Sequence, residues 1–349
     1  GGESLLPSTV ARSRPISMSA RPRAFLAGCA LLAAGTSAAA PSLVHAAENP
    51  GGYPQRTITL VVPFTPGTSA DIFARLIGPK VSERWKVAVV TENRPGAGGN
   101  IGAEYVARAA PDGYTLLMTA TAFGTTPVLN KNTPFDPIKS FRPVGLAATS
   151  VMALVAPSKL PANSVQDLIQ LAQSQPGKLN YASPGVGTAQ HLAMELLKQS
   201  AGINMVHVPY KGTAGALTDV MGGHAQAMVT SLGAATPFLQ SKQLKVLAVM
   251  SKKRVPELPD SSTVVEQGHP DLVVDTWYGM LAPANTPDAI IAKWNRELNE
   301  LLRSPEIIAA LQNQGLIPGG GTPEDLGSLI QEELARWTKV VKAANIVAD

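Results

Sequence analysis

Apolar strand-like runs alternate with amphipathic helical segments along most of the chain. Short runs rich in apolar and β-branched residues occur at Ile58–Pro63, Val87–Val90, Tyr114–Thr119 and Lys245–Met250. Between such runs, apolar residues recur every three or four positions, as in Ser164–Gln175. This alternation predicts βα units and largely parallel sheets, and therefore an α/β fold.

Two apolar stretches, Val144–Ala156 and Leu272–Ala282, are longer than a typical strand of about five or six residues. We interpret each as a strand that crosses from one lobe of the protein to the other. This interpretation assigns residues 47–150 and 276–349 to lobe I and residues 151–275 to lobe II. Two such crossings would form a hinge, with a ligand cleft between the lobes.

Four glycine-rich turns lead from a strand-like run into a helical pattern; they are Pro63–Asp71, Asn93–Gly102, Ser183–Thr188 and Lys211–Gly215. The first backbone N–H groups of a helix lack intrahelical partners, so each turn is suited to an anion. The turns Pro63–Asp71 and Ser183–Thr188 contain no Lys or Arg. An anion there would be held by backbone donors and hydroxyls, which favours reversible capture of a small carboxylate over chemistry on it.

The N-terminal segment has the pattern of a secretory signal peptide. Arg21 and Arg23 precede the apolar run Ala24–Ala34, and a small-residue pattern ends at Ala46. We expect residues 1–46 to be a leader that is cleaved near Ala46, and the mature protein to be periplasmic. A transmembrane anchor is disfavoured because the apolar run is about half of the roughly 20 residues that a span requires.

Loss of the leader changes the charge balance. The whole chain has 29 basic and 25 acidic side chains, and the part after residue 46 has 25 and 24. A nearly neutral protein lacks the basic face that nucleic-acid binding needs, so we expect no nucleic-acid partner. The only cysteine, Cys29, lies in the leader. Leu26–Cys29 resembles a lipobox, but the apolar run continues past it, which disfavours lipidation.

The sequence offers little support for catalysis. The mature histidines, His191, His207, His224 and His269, lack the paired spacing of metal ligands. We therefore predict no metal, no cofactor, no catalytic residue and no enzymatic activity. The alternative is a periplasmic hydrolase or isomerase that acts on a carboxylate, with Ser183 and His191 as the reacting pair. Ser183 is not in the G-x-S-x-G pattern of a nucleophile elbow.

The glycines after Arg94 do not form a known phosphate-binding motif. Ile101 occupies the third glycine position of G-x-G-x-x-G, and no Lys-Ser or Lys-Thr pair follows. We interpret this segment as an ordered turn that supports the first lobe.

Six blocks of the chain resemble the Bordetella uptake gene (Bug) receptors, which are the periplasmic solute-binding components of tripartite tricarboxylate transporters. The blocks span essentially the whole mature chain in order: Pro63–Gly67 with Asp71 and Arg75, Glu92–Gly102, Pro111–Tyr114, Asn180–Gly185, Val208–Gly212 and Ala282–Pro287. The resemblance implies a type II periplasmic-binding-protein (Venus-flytrap) fold with a ligand cleft between two lobes. It also implies a monomeric receptor that captures a di- or tricarboxylate or an aromatic acid. Its partners would be the membrane permease subunits or a sensor protein.

The resemblance further implies that the loops Thr65–Asp71 and Ser183–Thr188 hold the carboxylate from opposite lobes. The candidate ligand-binding residues lie in these loops and at nearby strand and helix ends: Thr65, Gly67, Thr68, Ser69, Thr119, Thr121, Ser183, Gly185, Gly187, Thr188, Tyr210, Thr230 and Ser231. Family members often end the strand near Met228 with Asp, where this chain has Thr230-Ser231. The loss of that acid disfavours a ligand ammonium group and favours plain carboxylates over amino acids.

Several of these candidates also have a structural interpretation. Thr68–Asp71 resembles a helix capping box, and Thr188 is placed to cap the next helix. A structural role is equally open for Tyr210. Trp277 and Tyr278, on the second proposed crossing, are expected to pack against the hinge.

Overall fold

A computed structural model describes residues 52–347. The predicted signal peptide and Cys29 lie outside the described residues. Among the described residues, no helix combines the length and the apolar character that crossing a membrane requires.

The described residues contain strands and helices in the alternation that the sequence predicts. The strands are β1 Ile58–Val62, β2 Val89–Asn93, β3 Thr115–Ala120, β4 Phe141–Pro157, β5 Asn180–Ser183, β6 Val206–Pro209, β7 Ala227–Ser231, β8 Leu244–Val249, β9 Asp275–Pro283 and β10 Ile317–Pro318. The helices are α1 Ser69–Trp85, α2 Asn100–Ala107, α3 Ala122–Leu129, α4 Val165–Ser174, α5 Ala189–Ala201, α6 Thr213–Met221, α7 Leu232–Gln240, α8 Asp288–Leu302, α9 Pro305–Asn313 and α10 Pro323–Ala344.

The strands follow the order β2-β1-β3-β9-β4-β7-β5-β6, with β8 and β10 also paired to β4. The β1–β3 and β5–β7 groups are parallel, as predicted. The expectation of largely parallel pairing is wrong for β4, because every strand that pairs with it is antiparallel to it. In a βα unit, the connecting helix returns the chain to the edge of the sheet where the strand began, so the next strand runs parallel to the first. The long strands β4 and β9 instead run straight through the middle of the molecule.

β4 pairs with strands of two different sheets. Its residues up to Val151 pair with β9, and from Met152 onward it pairs with β7 and β8. The second predicted crossing is less regular: Val274 N–H bonds to Met250 O at 3.1 Å, and β9 begins only at Asp275. The division into residues 47–150 plus 276–349 and residues 151–275 stays a prediction.

The C-terminal helix α10 packs against the cores of both sheets. Its apolar residues Leu326, Ile330, Leu334 and Trp337 recur every three or four positions, which predicts a core-facing side. Leu326 and Ile330 lie in a cluster with Leu117 of β3. Two to three turns after Ile330, Trp337 and Val340 lie in the cluster that covers the second sheet. The single helix therefore ties the two halves of the molecule together on one side.

The pairs Thr286-Pro287, Ser304-Pro305 and Thr322-Pro323 predict helix starts with a Ser or Thr cap and Pro at the first helical position, and this holds for α9 and α10 but not for α8. At α10, Thr322 Oγ1 accepts from Asp325 N–H at 3.1 Å, and the Asp325 carboxylate accepts from Thr322 N–H at 2.8 Å, which completes a capping box. At α8 the expectation is wrong, because Pro287 is the N-cap and Thr286 donates to Pro283 O instead. Ser304 does precede α9, but its side chain makes no capping bond.

Two helices, α3 and α7, and the short strand β10 were not predicted. Both helices contain an internal proline, Pro127 and Pro237, and many small residues. These features hide the helical periodicity, since small apolar and polar residues give little contrast between the two faces.

Candidate functional site

A cavity of about 450 Å³ lies where three helices begin. Its wall includes Ser69 and Ala70 at the start of α1, Ala122 at the start of α3, and Ala189 and Gln190 at the start of α5. First-turn N–H groups have no intrahelical partner, and each helix dipole is positive at this end. The convergence of three such ends makes the cavity favourable for an anionic group.

Among the described residues that line this cavity, none carries a charged side chain. The apolar part of the wall comes from Phe64, Leu129, Val186 and Tyr278. A small molecule with an anionic group at the helix ends and a carbon skeleton against this wall would fit both features.

The first loop is held by the buried carboxylate of Asp71. It accepts hydrogen bonds from Gly67 N–H at 2.9 Å, Asn93 Nδ2 at 2.8 Å and Arg75 Nε at 3.1 Å. Desolvation by burial raises the pKa of Asp71, but the bonds from Gly67, Asn93 and Arg75 outweigh it and leave the pKa below its usual value. The capping box predicted at Thr68–Asp71 is wrong, because the Thr68 hydroxyl donates to Thr65 O.

The second loop approaches the first half of the molecule closely at Gly187. Gly187 has a φ of 81°, and a Cβ built there would lie 2.5 Å from Leu129 Cδ1 of α3. Only glycine combines this left-handed conformation with so short an approach. Thr188 caps α5 as predicted, since its Oγ1 accepts from His191 N–H at 3.2 Å.

A second cavity of about 660 Å³ adjoins the first. The two share Gly98, Thr126, Leu129 and Val186, so they form one continuous cleft. Tyr210 lies in the second cavity and donates its hydroxyl to the Asp219 carboxylate. Desolvation, together with the bond and charge of Asp219, raises the pKa of Tyr210 to about 12.

The structure brings seven of the thirteen predicted ligand-binding residues to this cleft. Thr68, Ser69, Thr121, Gly187 and Thr188 line the first cavity, and Gly185 and Tyr210 line the second. The Thr121 hydroxyl is already engaged, since it accepts from Trp277 N–H at 2.9 Å.

The other six predicted residues line neither cavity: Thr65, Gly67, Thr119, Ser183, Thr230 and Ser231. Thr119, Ser183 and Thr230 are fully buried within their strands. Ser231 is the N-cap of α7 and accepts from Ala234 N–H at 3.4 Å. Thr119 and Thr230 lie in strands next to the cleft, but the strand pleat buries their side chains in the core.

Sequence reasoning missed part of the cavity wall. The missed residues are Phe64, Thr125, Thr126, Leu129, Gln190 and Thr276, together with Tyr278, which was assigned to hinge packing. Trp277, its neighbour, is buried in a core cluster with Leu117 and Leu326. Small and hydroxyl-bearing residues follow directly after β3. They could have indicated that α3 contributes to the site, because ligands of open α/β sheets bind at the carboxyl ends of strands.

The Ser183–His191 pair does not have the arrangement of a nucleophile and its base. Ser183 is fully buried, and its Oγ lies 2.6 Å from His207 Nε2 rather than from His191. His191 Nδ1 accepts from Gly187 N–H at 3.0 Å. Within residues 52–347, no cluster of three or more His, Cys, Asp or Glu side chains could hold a metal ion.

The segment after Arg94 is an ordered turn, as interpreted from the sequence. The Arg94 guanidinium lies 3.5 Å from the centre of the Tyr105 ring and pairs with Glu92 at 2.8 Å. A Cβ at Gly102 would lie 2.8 Å from Arg94 O and 2.7 Å from Pro63 Cβ. These contacts seat α2 against the backbone that leads into the first cleft loop.

Known proteins resemble this chain in sequence and fold. The family model described as the tripartite tricarboxylate transporter family receptor matches residues 73–346. The BugT protein of Bordetella pertussis is 35% identical over 296 residues, which cover 83% of this chain and 90% of BugT.

Two solved structures of related proteins contain bound acids. Rpa4515 of R. palustris, solved with adipate, is 36% identical with a TM-score of 0.70, and the match covers 84% of this chain and 99% of that one. MatC of Rhodopseudomonas palustris, solved with malate, is 32% identical with a TM-score of 0.67, and the match covers 83% and 100%.

Proposed function

This chain belongs to the tripartite tricarboxylate transporter receptor family, and from that membership we propose that it is a periplasmic receptor for a small carboxylate, bound in the cleft between α1, α3 and α5. The family and the fold class expected from the sequence are thereby confirmed.

The observation that carries the proposal is the convergence of three helix starts on a cavity whose described lining has no charged side chain. Backbone N–H groups and helix dipoles bind a carboxylate without the strong, fixed attraction of a buried Lys or Arg. Such a site suits a receptor, which must release its ligand as well as bind it.

The lining also limits the class of acid. A ligand ammonium group would need a carboxylate or several free acceptors, and no acidic side chain is among the described lining residues. Two related receptors were solved with adipate and malate, both dicarboxylates. We therefore propose an aliphatic dicarboxylate as the first ligand to test, ahead of amino acids.

The proposed partners follow from the family. The receptor would deliver its ligand to the membrane permease subunits of a tripartite transporter or present it to a sensor protein. A cleavable leader over residues 1–46 would export it to the periplasm.

A thermal-shift screen tests the proposal. The purified protein is heated alone and with adipate, malate, citrate, benzoate, glutamate and leucine. A ligand at 100 times its dissociation constant should raise the free energy of unfolding by about 2.7 kcal/mol, a shift of several degrees.

A clear shift with an acid that is recovered chemically unchanged would support a receptor. Stabilisation by amino acids alone would contradict the proposed ligand class, and conversion of the acid during incubation would contradict a purely binding role.

A further inference from the structure

The loop Ser183–Thr188, one wall of the cleft, rests on a group of polar side chains that the binding site does not use directly. We call this group the histidine cluster; it consists of Tyr181, Ser183, His191, Glu195 and His207. Tyr181, Ser183, His191 and Glu195 are buried, and His207 is half-buried. Such a concentration of buried polar groups next to a ligand loop calls for a function.

The two histidine rings are stacked, with centroids 3.7 Å apart and planes 14° from parallel. The Tyr181 ring lies 5.0 Å from the His207 ring and 6.3 Å from the His191 ring, between centroids. The three rings thus form a compact aromatic group that links strands β5 and β6 to helix α5.

The histidine cluster holds the loop through two backbone N–H groups of the loop. Gly187 N–H donates directly to His191 Nδ1 at 3.0 Å. Gly185 N–H donates to Ser183 Oγ at 3.2 Å, and the same oxygen lies 2.6 Å from His207 Nε2. The conformation of the loop backbone therefore depends on both imidazoles.

The bond from Gly187 requires His191 to be neutral. A backbone N–H can donate only to a ring nitrogen that carries no proton, so the ring proton of His191 lies on Nε2. Protonation would occur at Nδ1, the atom that accepts from Gly187. The new Nδ1–H of His191 and the N–H of Gly187 would then point at each other. The hydrogen bond would be lost, and a buried donor would have no partner.

The charged groups around the stack do not favour protonation strongly. The negative charge of Glu195 raises the pKa of both imidazoles, but its carboxylate also accepts a hydrogen bond from the Tyr181 hydroxyl. The Lys198 ammonium, 3.0 Å from the Glu195 carboxylate, lowers the pKa of both imidazoles. Burial, followed by repulsion from His191, lowers the pKa of His207 to about 4, and burial also lowers the pKa of His191.

We propose that His191 and His207 are positioning residues for ligand binding: as a stacked pair they hold the Gly185–Thr188 backbone in its binding conformation, and protonation of His191 releases it. The link to a carboxylate rests on the proposed function, whereas the control of the loop does not. Binding is then full near neutral pH and weakens as the pH falls below the ordinary histidine value, because burial lowers the pKa of His191 in the held loop.

Amide hydrogen exchange at Gly187, corrected for the intrinsic pH dependence, tests the control of the loop without any ligand. In the wild-type protein, protection should fall by about tenfold as NMR signals of the imidazoles report protonation. His191→Asn keeps an acceptor oxygen near the position of Nδ1 and does not titrate, so its Gly187 protection should be independent of pH. His191→Leu should lose protection at every pH.

Persistence of Gly187 protection after His191 has become protonated would overturn the proposal. Equal protection in His191→Leu and wild type would overturn it as well. The wild-type titration decides the matter even if His191→Leu fails to fold.

The affinity for adipate, measured by calorimetry from pH 7.5 to 4, tests the link to binding. The ratio of wild-type to His191→Asn affinity should fall as the pH is lowered. Taking the ratio cancels the effect of adipate's own protonation, which is the same for both proteins. A constant ratio would overturn the link. If adipate does not bind either protein, the proposed function is in question, while the exchange experiment still decides whether the histidines control the loop.

Discussion

At the scale of single residues, the cleft is organised by side chains whose polar groups are already bonded within the protein. The Asp71 carboxylate fixes the first loop through Gly67, Asn93 and Arg75. The hydroxyls of Thr121 and Thr188 are engaged with backbone groups of Trp277 and the second loop. What remains for an anion is mainly the backbone N–H groups at the helix starts.

Replacing Asp71 by Asn should lower the free energy of unfolding by about 1–3 kcal/mol at pH 7, because an amide NH₂ would face donors that now bond to a carboxylate. The folded-state pKa of Asp71 is lowered, so its contribution is present above the unfolded pKa and is lost as the pH falls through the folded value. Denaturant unfolding at pH 7 and pH 3 checks this difference.

The exposed Asp136, which accepts from Ile138 N–H at 2.8 Å, is the control for Asp71. Asp136→Asn should cost clearly less than Asp71→Asn at pH 7. Equal costs for the two variants would argue against a special role for the buried carboxylate.

A proline at position 69 tests whether backbone N–H groups bind the ligand. Ser69 is the first residue of α1 and follows Thr68, whose ψ of 160° suits a following proline. Ser69→Pro should keep the fold but weaken carboxylate binding by about tenfold or more, since it removes an N–H that faces a charge.

Ser69→Ala is the matched control, because it removes only the hydroxyl. Calorimetry with the acid that gives the largest thermal shift compares the two variants. Equal affinities would mean that the N–H of residue 69 is not a ligand donor.

At the scale of elements, each cleft loop joins a strand to a helix, and the helix must pack closely enough to aim its first turn at the cavity. Gly102 lets α2 lie against Pro63 and Arg94. Gly187 lets the second loop lie against Leu129 of α3. Gly102 serves a close approach to backbone and proline atoms, and Gly187 combines a close approach to Leu129 with a φ of 81°.

Gly102→Ala should destabilise the protein by about 1–3 kcal/mol, because its Cβ would meet backbone and proline atoms that cannot easily move. Gly215→Ala is the control inside α6, where a Cβ would make an ordinary contact 3.7 Å from Tyr210 Cδ1. It should be neutral or stabilising by up to about 1 kcal/mol, because alanine favours a helix. Thermal unfolding of both variants measures the difference, and similar behaviour would contradict the close-packing argument.

At the scale of the whole molecule, the long strand β4 takes part in both sheets, and α10 packs against both cores. These two elements leave a hinge as the main way for the halves to move. The cleft lies between the two halves. It is bounded by the first loop and α3 on one side and by the Ser183–Thr188 loop on the other.

A bound carboxylate should therefore draw the two halves together. Small-angle scattering should show a smaller radius of gyration at saturating ligand than in the free protein. At an acid concentration near the wild-type dissociation constant, the Ser69→Pro variant should contract clearly less than the wild-type protein. An unchanged radius of gyration in the wild-type protein at saturation would argue against closure.

The sequence by itself determined the features that depend on neighbouring residues. The alternation of strands and helices, the capping of α5 by Thr188 and of α10 by Thr322, and the cation-free loops are all set within a few residues of chain. The ordered motifs of the six matching blocks were enough to predict the family. These signals are local, so no knowledge of the fold was needed to interpret them.

Only the tertiary structure decided which of these local features meet. It places Tyr278 and α3 in the cavity wall, buries Thr119 and Thr230, and pairs Ser183 with His207 rather than with His191. Each outcome depends on contacts between residues far apart in the chain, or on which way a strand's pleat turns a side chain. Periodicity and spacing in the sequence do not indicate such contacts, because the contacts follow from how the strands pair and how the helices pack on the sheets.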